Sequence, residues 1–111
     1  MITFLKVDGR NCPAVVCDWC GKRIEKASEG NCEWFEDEQG QPVSGKAVDN
    51  RGRRIPGPLF FVHKHCSRPC ESASGDLSLS EDLDTFLFNL EHNCSFDRKS
   101  AAERSKLSAR F

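Results

Sequence analysis

Two short stretches gather the side chains able to do chemistry. "CDWC" places Cys17 and Cys20 two residues apart, and "FVHKHCSRPC" packs His63, His65, Cys66 and Cys70 into eight residues. Zinc takes four tetrahedral Cys or His ligands, usually as two close pairs that the fold brings together. The two-residue spacer of Cys17 and Cys20 lets both sulfurs meet one ion while backbone N–H groups turn toward the thiolates. His63 and Cys66 form an HxxC pair, a spacing suited to a strand end that enters a helical turn. The long separation between Cys20 and His63 fits a β-hairpin with an enlarged loop. The expected metal ligands are therefore Cys17, Cys20, His63 and Cys66, and the expected ion is Zn2+.

The second pair leaves alternatives open. Cys66 and Cys70 stand i, i+4 and could chelate from a helix, although Pro69 between them is tolerated only in a first turn. His65 alternates with His63 along a strand and should point to the other side. Cys12, Cys32 and Cys94 have no partner at ligand spacing and are expected to be ordinary core or surface thiols. Were Cys17 and Cys20 simply small core hydrophobes, Asp18 and Lys22 would be drawn into the interior with them. His92 stands near the end of a helix, where it complements the negative pole.

These residues need strands and a turn to position them. "ITFLKV" and "CPAVVC" flank "DGRN", and Asp-Gly between two β-rich runs is a strong hairpin signal. Its second strand leads into "CDWCGKRI", where Gly21 permits the tight turn that follows a metal-binding knuckle. "CEWFED", residues 32–37, reads as a strand, "EQGQP" as a turn, and "LFFVH" as the strand's partner. Between them "VSGKAVDNRGRRIPGP" reads as a long mobile loop with one short strand near residues 46–48. Leu83, Phe86, Leu87 and Leu90 recur at i, i+3, i+4 and i+7, the stripe of an amphipathic helix, with Ser78 and Glu81 as a capping box and Ser80 as a rival N-cap. The segment "RKSAAERSKLSARF" is poor in apolar residues and reads as a frayed helix or disordered chain.

At 111 residues there is room for one independent core. Residues 1–93 are expected to form a single metal-binding domain, with hairpins over 1–66 and a helical part over 67–93. Residues 94–111 follow as a basic tail. The combined share of Leu, Ile, Val and Phe is not far above the roughly 20% at which chains fail to fold, so a staple would help. Seven cysteines fall below the roughly 8–10% of a secreted disulfide scaffold. The opening "MITFLKVDGR" lacks a basic leader with an apolar run, and no apolar stretch approaches the ~20 residues of a membrane span. A cytoplasmic location follows as the expectation, since a reducing compartment keeps thiols available for metal. The net charge of −1 conceals blocks: −4 over residues 31–50, +5 over 51–70, seven acids with no Lys or Arg over 71–97, and +4 over 98–111. Such blocks are usually solvated faces rather than binding surfaces.

"CDWCGKRI" followed by "FVHKHC" resembles the CxxCG and HxxC half-sites of treble-clef and LIM-type zinc fingers, and of small bacterial zinc-ribbon-like proteins. The resemblance covers roughly residues 13–71. It implies an α+β fold of small, zinc-stapled antiparallel β-hairpins with a C-terminal amphipathic helix. It also implies a knuckle at Cys17 and Cys20 closed by His63 and Cys66. Unlike a LIM domain, the chain offers no second set of four ligands after Cys70. The function expected is that of a structural zinc module, not an enzyme, mediating interaction with a protein in preference to nucleic acid and without a membrane. The "RGRRIPGP" loop, the basic tail and Trp19 are the candidate contact groups. The rival is a thiol redox protein using Cys17 and Cys20 ahead of a helix over "GKRIEKA", although no alternating strand and helix units surround that pair.

Overall fold

A computed structural model describes residues 1–107. Among them lie two antiparallel sheets and three α-helices, a small mixed α/β arrangement. The first sheet is the hairpin of β1 (Ile2–Val7) and β2 (Arg10–Val15). Its two-residue turn has φ 51° at Asp8 and φ 76° at Gly9. Such a left-handed pair matches the twist of the strands it joins. The register sets Val7 opposite Arg10 and Ile2 opposite Val15. Cys12 is the inward-facing thiol of this hairpin.

The second sheet carries the core. It has the order β4-β3-β5, with β3 (Gly30–Trp34) between β4 (Phe60–His63) and β5 (Leu79–Asp82), both antiparallel to it. Phe35, Phe60, Val62, Cys32 and Leu83 are buried here, and the rings of Phe35 and Phe60 stack at 5.6 Å. One acid is buried with them. Glu33 is fully enclosed, and its carboxylate accepts from Asn31 Nδ2 at 3.1 Å, Ser67 Oγ at 2.5 Å and Ser78 Oγ at 3.0 Å. A buried carboxylate is tolerable when its lone pairs are met in this way. These bonds tie β3 to the segments on either side of it.

Helix α1 (Ser67–Ser74) follows β4 through a single 3-10 turn over Lys64–Cys66. It ends at Gly75 with φ 80°, the left-handed cap that glycine adopts at least cost. Pro69 falls in its first turn, where its missing N–H costs nothing. Helix α2 (Leu83–Asn93) holds Leu83 and Phe86 against the sheet, in agreement with the amphipathic stripe. Its start differs from the expected capping box. Leu79–Asp82 pair with β3 as a strand, Ser78 bonds to Glu33 and Glu71, and among the described residues no side chain caps α2. The sheet's open edge along β3 outcompeted local capping. Helix α3 (Arg98–Leu107) occupies most of the basic tail, and residues 108–111 lie outside the described residues.

The loop between β3 and β4 is organised, not the mobile stretch expected. Val48 bridges Arg54, Ile55 N donates to Ala47 O at 2.8 Å, and the buried Ala47 and Ile55 anchor this small hairpin in the core. Asp49 Oδ1 accepts from the backbone N–H groups of Arg51 and Arg53 at 2.9 Å each. An aspartate closing its own turn in this manner is a local device that a count of Gly, Pro and charge overlooks. Among the described residues no helix is long and apolar enough to cross a membrane.

Candidate metal centre

Cys17 and Cys20 sit in a tight knuckle that continues β2. Gly21 N donates to Cys17 O at 2.9 Å, Cys17 N to Lys22 O at 2.8 Å and Ile24 N to Val15 O at 2.8 Å, which folds residues 15–24 into a miniature hairpin. Gly21 takes φ 77° at its bend. Inside it the Cys20 N–H points at Cys17 Sγ from 3.4 Å, and the His63 N–H approaches the same sulfur at 3.5 Å. Asp18 fixes the knuckle to β4. Its N–H donates to Phe61 O at 2.7 Å and its carboxylate accepts from Phe61 N at 2.8 Å, as well as from the Met1 amino group.

The second pair arrives from the other direction. His63 is the last residue of β4, and Cys66 ends the 3-10 turn at the head of α1. The ligand atoms of Cys17, Cys20, His63 and Cys66 all lie within 4.8 Å of one another. Cys20 Sγ and His63 Nδ1 are 3.5 Å apart. For a tetrahedron with zinc–sulfur bonds of about 2.3 Å and zinc–nitrogen bonds of about 2.0–2.1 Å, the edges between ligand atoms come to about 3.6–3.8 Å. The cluster is thus of a size that closes on one ion by small side-chain adjustments, and three thiols with one imidazole are the donors zinc takes. These four residues could hold a metal ion.

The environment selects which atoms face the centre. His63 Nε2 lies 3.1 Å from Arg23 O. A carbonyl can only accept, so Nε2 donates to it, and in the neutral ring Nδ1 then keeps its lone pair toward the thiols, the orientation that an outer carbonyl commonly imposes on a metal-binding imidazole. Burial pushes the Cys66 thiol up to about 12, with the charges of Cys17 and Cys20 adding to it. Burial also raises Cys17, opposed by the N–H groups of Cys20, His63 and Trp19. Three thiolates cannot share this space without a cation, and a divalent ion would reverse the balance.

The neighbouring candidates separate clearly. Cys70 is buried one turn further along α1, its Sγ 3.5 Å from Val48 O, and burial raises it to about 11. It stands outside the cluster of four. His65 does not point away from His63 as strand alternation suggested. The strand ends at His63, and the 3-10 turn swings the His65 ring back to stack on it at 5.1 Å. Cys12 and Cys32 are buried, and Cys94 is exposed. Cys32 is raised to about 11 by burial and by the carboxylates of Glu81 and Glu33. His92 is an exposed residue in the last turn of α2.

Beside the cluster Cys20, Lys22, Arg23, Glu25, His63 and His65 border a hollow of 480 Å³. Cys20 is the most open of the thiols in the cluster, whereas Cys17 and Cys66 are enclosed. Lys64 forms an ion pair with Asp82 at 3.2 Å, whereas Lys22 and Arg23 border the hollow beside the cluster. No protein-family model, curated protein or solved structure matches this chain.

Proposed function

We propose that Cys17, Cys20, His63 and Cys66 bind one Zn2+ and that the protein is a structural zinc module of treble-clef type, built to present a surface to another protein. One observation carries this reading: four soft ligand atoms from two elements far apart in sequence converge within 4.8 Å. The order of knuckle, hairpin and helix around them is the arrangement the resemblance to treble-clef fingers implies. With all four positions taken by protein groups, no site remains for a reacting water, so the ion would act in cohesion and not in hydrolysis. A bound ion with three thiolates and a neutral imidazole carries a charge of −1.

A thiol redox role draws less support. A reactive CxxC thiol has a depressed pKa, whereas burial raises Cys17. The arginine loop is held by contacts of its own. Arg53 pairs with Asp49, Arg54 Nη1 donates to Gly45 O at 2.7 Å, and Trp19 packs against the core with its carbonyl accepting from Asn50 N. Free thiols and a thiolate-rich site go with a reducing compartment such as the cytoplasm. The test is elemental analysis of the purified chain together with cobalt substitution. One equivalent of zinc, and a thiolate-to-cobalt charge-transfer band with tetrahedral visible transitions, are expected. Metal-free protein that folds identically would refute the proposal.

A further inference from the structure

Helix α2 begins anchored and ends in the open. Leu83 is buried and Phe86 sets its ring against Phe61, but Leu87 and Leu90 in the next turn are 39% and 47% exposed. At about 100° per residue, Leu90, Leu87 and Phe88 succeed one another around roughly 160° of the helix, with Glu91 among them. Phe88 is 70% exposed, and Phe96 just beyond the helix is 54% exposed. Leu87, Leu90, Cys94 and Phe96 border a hollow of 380 Å³. On its other side Phe96 borders a second hollow, of 500 Å³, with the small face Ala101, Ala102 and Ser105 of α3.

Among the described residues, helix α3 packs extensively against no other element. It is ten residues long, carries Arg98, Lys99, Arg104 and Lys106 against Glu103, and meets α2 through the Arg98–Glu91 ion pair. Helices shorter than roughly 12–15 residues are marginal in water unless packing supports them. The radius of gyration, 15.4 Å, exceeds the ~13 Å of a compact chain of this length, as a projecting arm requires. The two halves of this arm are opposite in charge. Residues 83–97 carry Asp84, Glu91 and Asp97 and no Lys or Arg, whereas α3 is basic.

We propose that the arm is a homodimerisation surface, in which α2 of one copy receives α3 of a second copy and donates its own α3 in return about a two-fold axis. An isologous exchange covers the exposed apolar residues in the second half of α2 and the small face of α3 in both copies at once, and it sets basic α3 against the acids of α2 twice. A foreign basic helix laid on α2 would leave α3 uncovered. Leu87, Phe88, Leu90 and Phe96 together expose on the order of 350–400 Å². A standard interface buries about 800 Å² per partner, some 56–65% of it apolar. The four side chains supply most of that apolar share.

Sedimentation velocity on the full chain between about 1 and 200 μM tests it, with zinc content measured on the same samples. The expected result is a concentration-dependent shift from 12.5 kDa to twice that mass, weakened by added NaCl. The double variant Leu87→Glu/Leu90→Glu should dimerise at least ~100-fold more weakly while keeping wild-type circular dichroism and metal content. Should that variant misfold, Phe96→Ser, outside any helix, provides the same readout with a loss of at least ~10-fold. A chain that stays monomeric at the highest concentration overturns the proposal, as does a dimer indifferent to these substitutions. So does a monomer that instead captures a synthetic basic amphipathic peptide through Leu87 and Leu90.

Discussion

Replacing Cys66 by serine isolates the metal reading from the rest of the fold. Cys66 is 4% exposed, and its sulfur is one of the four ligand atoms gathered within 4.8 Å. The serine hydroxyl nearly preserves volume and shape but is not a thiolate, so the substitution removes a ligand with little repacking. Structural zinc in small finger domains binds with an apparent ~10–16 kcal/mol near neutral pH. Divided over four ligands, each accounts for about 2.5–4 kcal/mol, so affinity should fall by about 100- to 1,000-fold. For a domain whose net stability is about 5–15 kcal/mol, that loss lowers the melting temperature by more than about 10 °C. Cys94→Ser is the internal comparison, since Cys94 is exposed and stands outside the cluster. The assay is zinc per chain after dialysis against a graded chelator, followed by thermal melts monitored by circular dichroism. Retention of stoichiometric zinc and an unchanged melt in Cys66→Ser would refute the argument, as would loss of zinc in Cys94→Ser.

Three further outcomes follow from the same structure. Burial and neighbouring thiols hold Cys66 at about 12, and burial raises Cys17, so both are protonated at pH 7 without metal. Zinc must expel at least these two protons, so affinity should rise steeply with pH, by ~100-fold or more per unit, and fall on acidification. Calorimetry in buffers of different ionisation enthalpy counts the protons, and a pH-independent affinity would contradict the assignment. Gly30→Ala should destabilise by about 1–3 kcal/mol, because an added Cβ would stand 2.9 Å from Ile24 Cγ2 and 3.1 Å from Leu83 Cδ2. Gly30 has an ordinary extended φ of −125°, so urea unfolding should show a packing penalty and not backbone strain. Glu33→Gln replaces one of the oxygens that serve Asn31, Ser67 and Ser78, and urea unfolding should register a loss of about 1–3 kcal/mol.

The elements nearest the cluster are legible in the sequence because local chemistry dictates them. Asp8-Gly9 can scarcely be anything but a hairpin turn, and CxxCG needs the left-handed glycine that Gly21 supplies. The stripe of Leu83, Phe86, Leu87 and Leu90 fixes one helix face. What escapes a sequence reading depends on partners distant along the chain. Leu79–Asp82 carry helix-start signals, yet the unpaired edge of β3 and the carboxylate of Glu33 turn them into a strand. Glu33 itself sits in a run of acids with no sign that it alone is enclosed. The loop of residues 43–58 reads as mobile by composition, because nothing local reveals that Ala47 and Ile55 reach the core. The reversal of His65 follows from the strand's end point, a boundary that periodicity places only to within a residue or two.

The fold's largest insertion, between β3 and β4, lies inside the ring that Cys20 and His63 would close, and its turn over Asp49–Arg53 returns beside the knuckle, where Asn50 N donates to Trp19 O at 3.2 Å. The entropy of ring closure grows only with the logarithm of length, about 0.6 kcal/mol for each doubling. Extra residues grafted at Gly52 would therefore loosen the clamp very little. This makes the loop a position where residues can be added or removed while the anchoring chemistry stays unchanged.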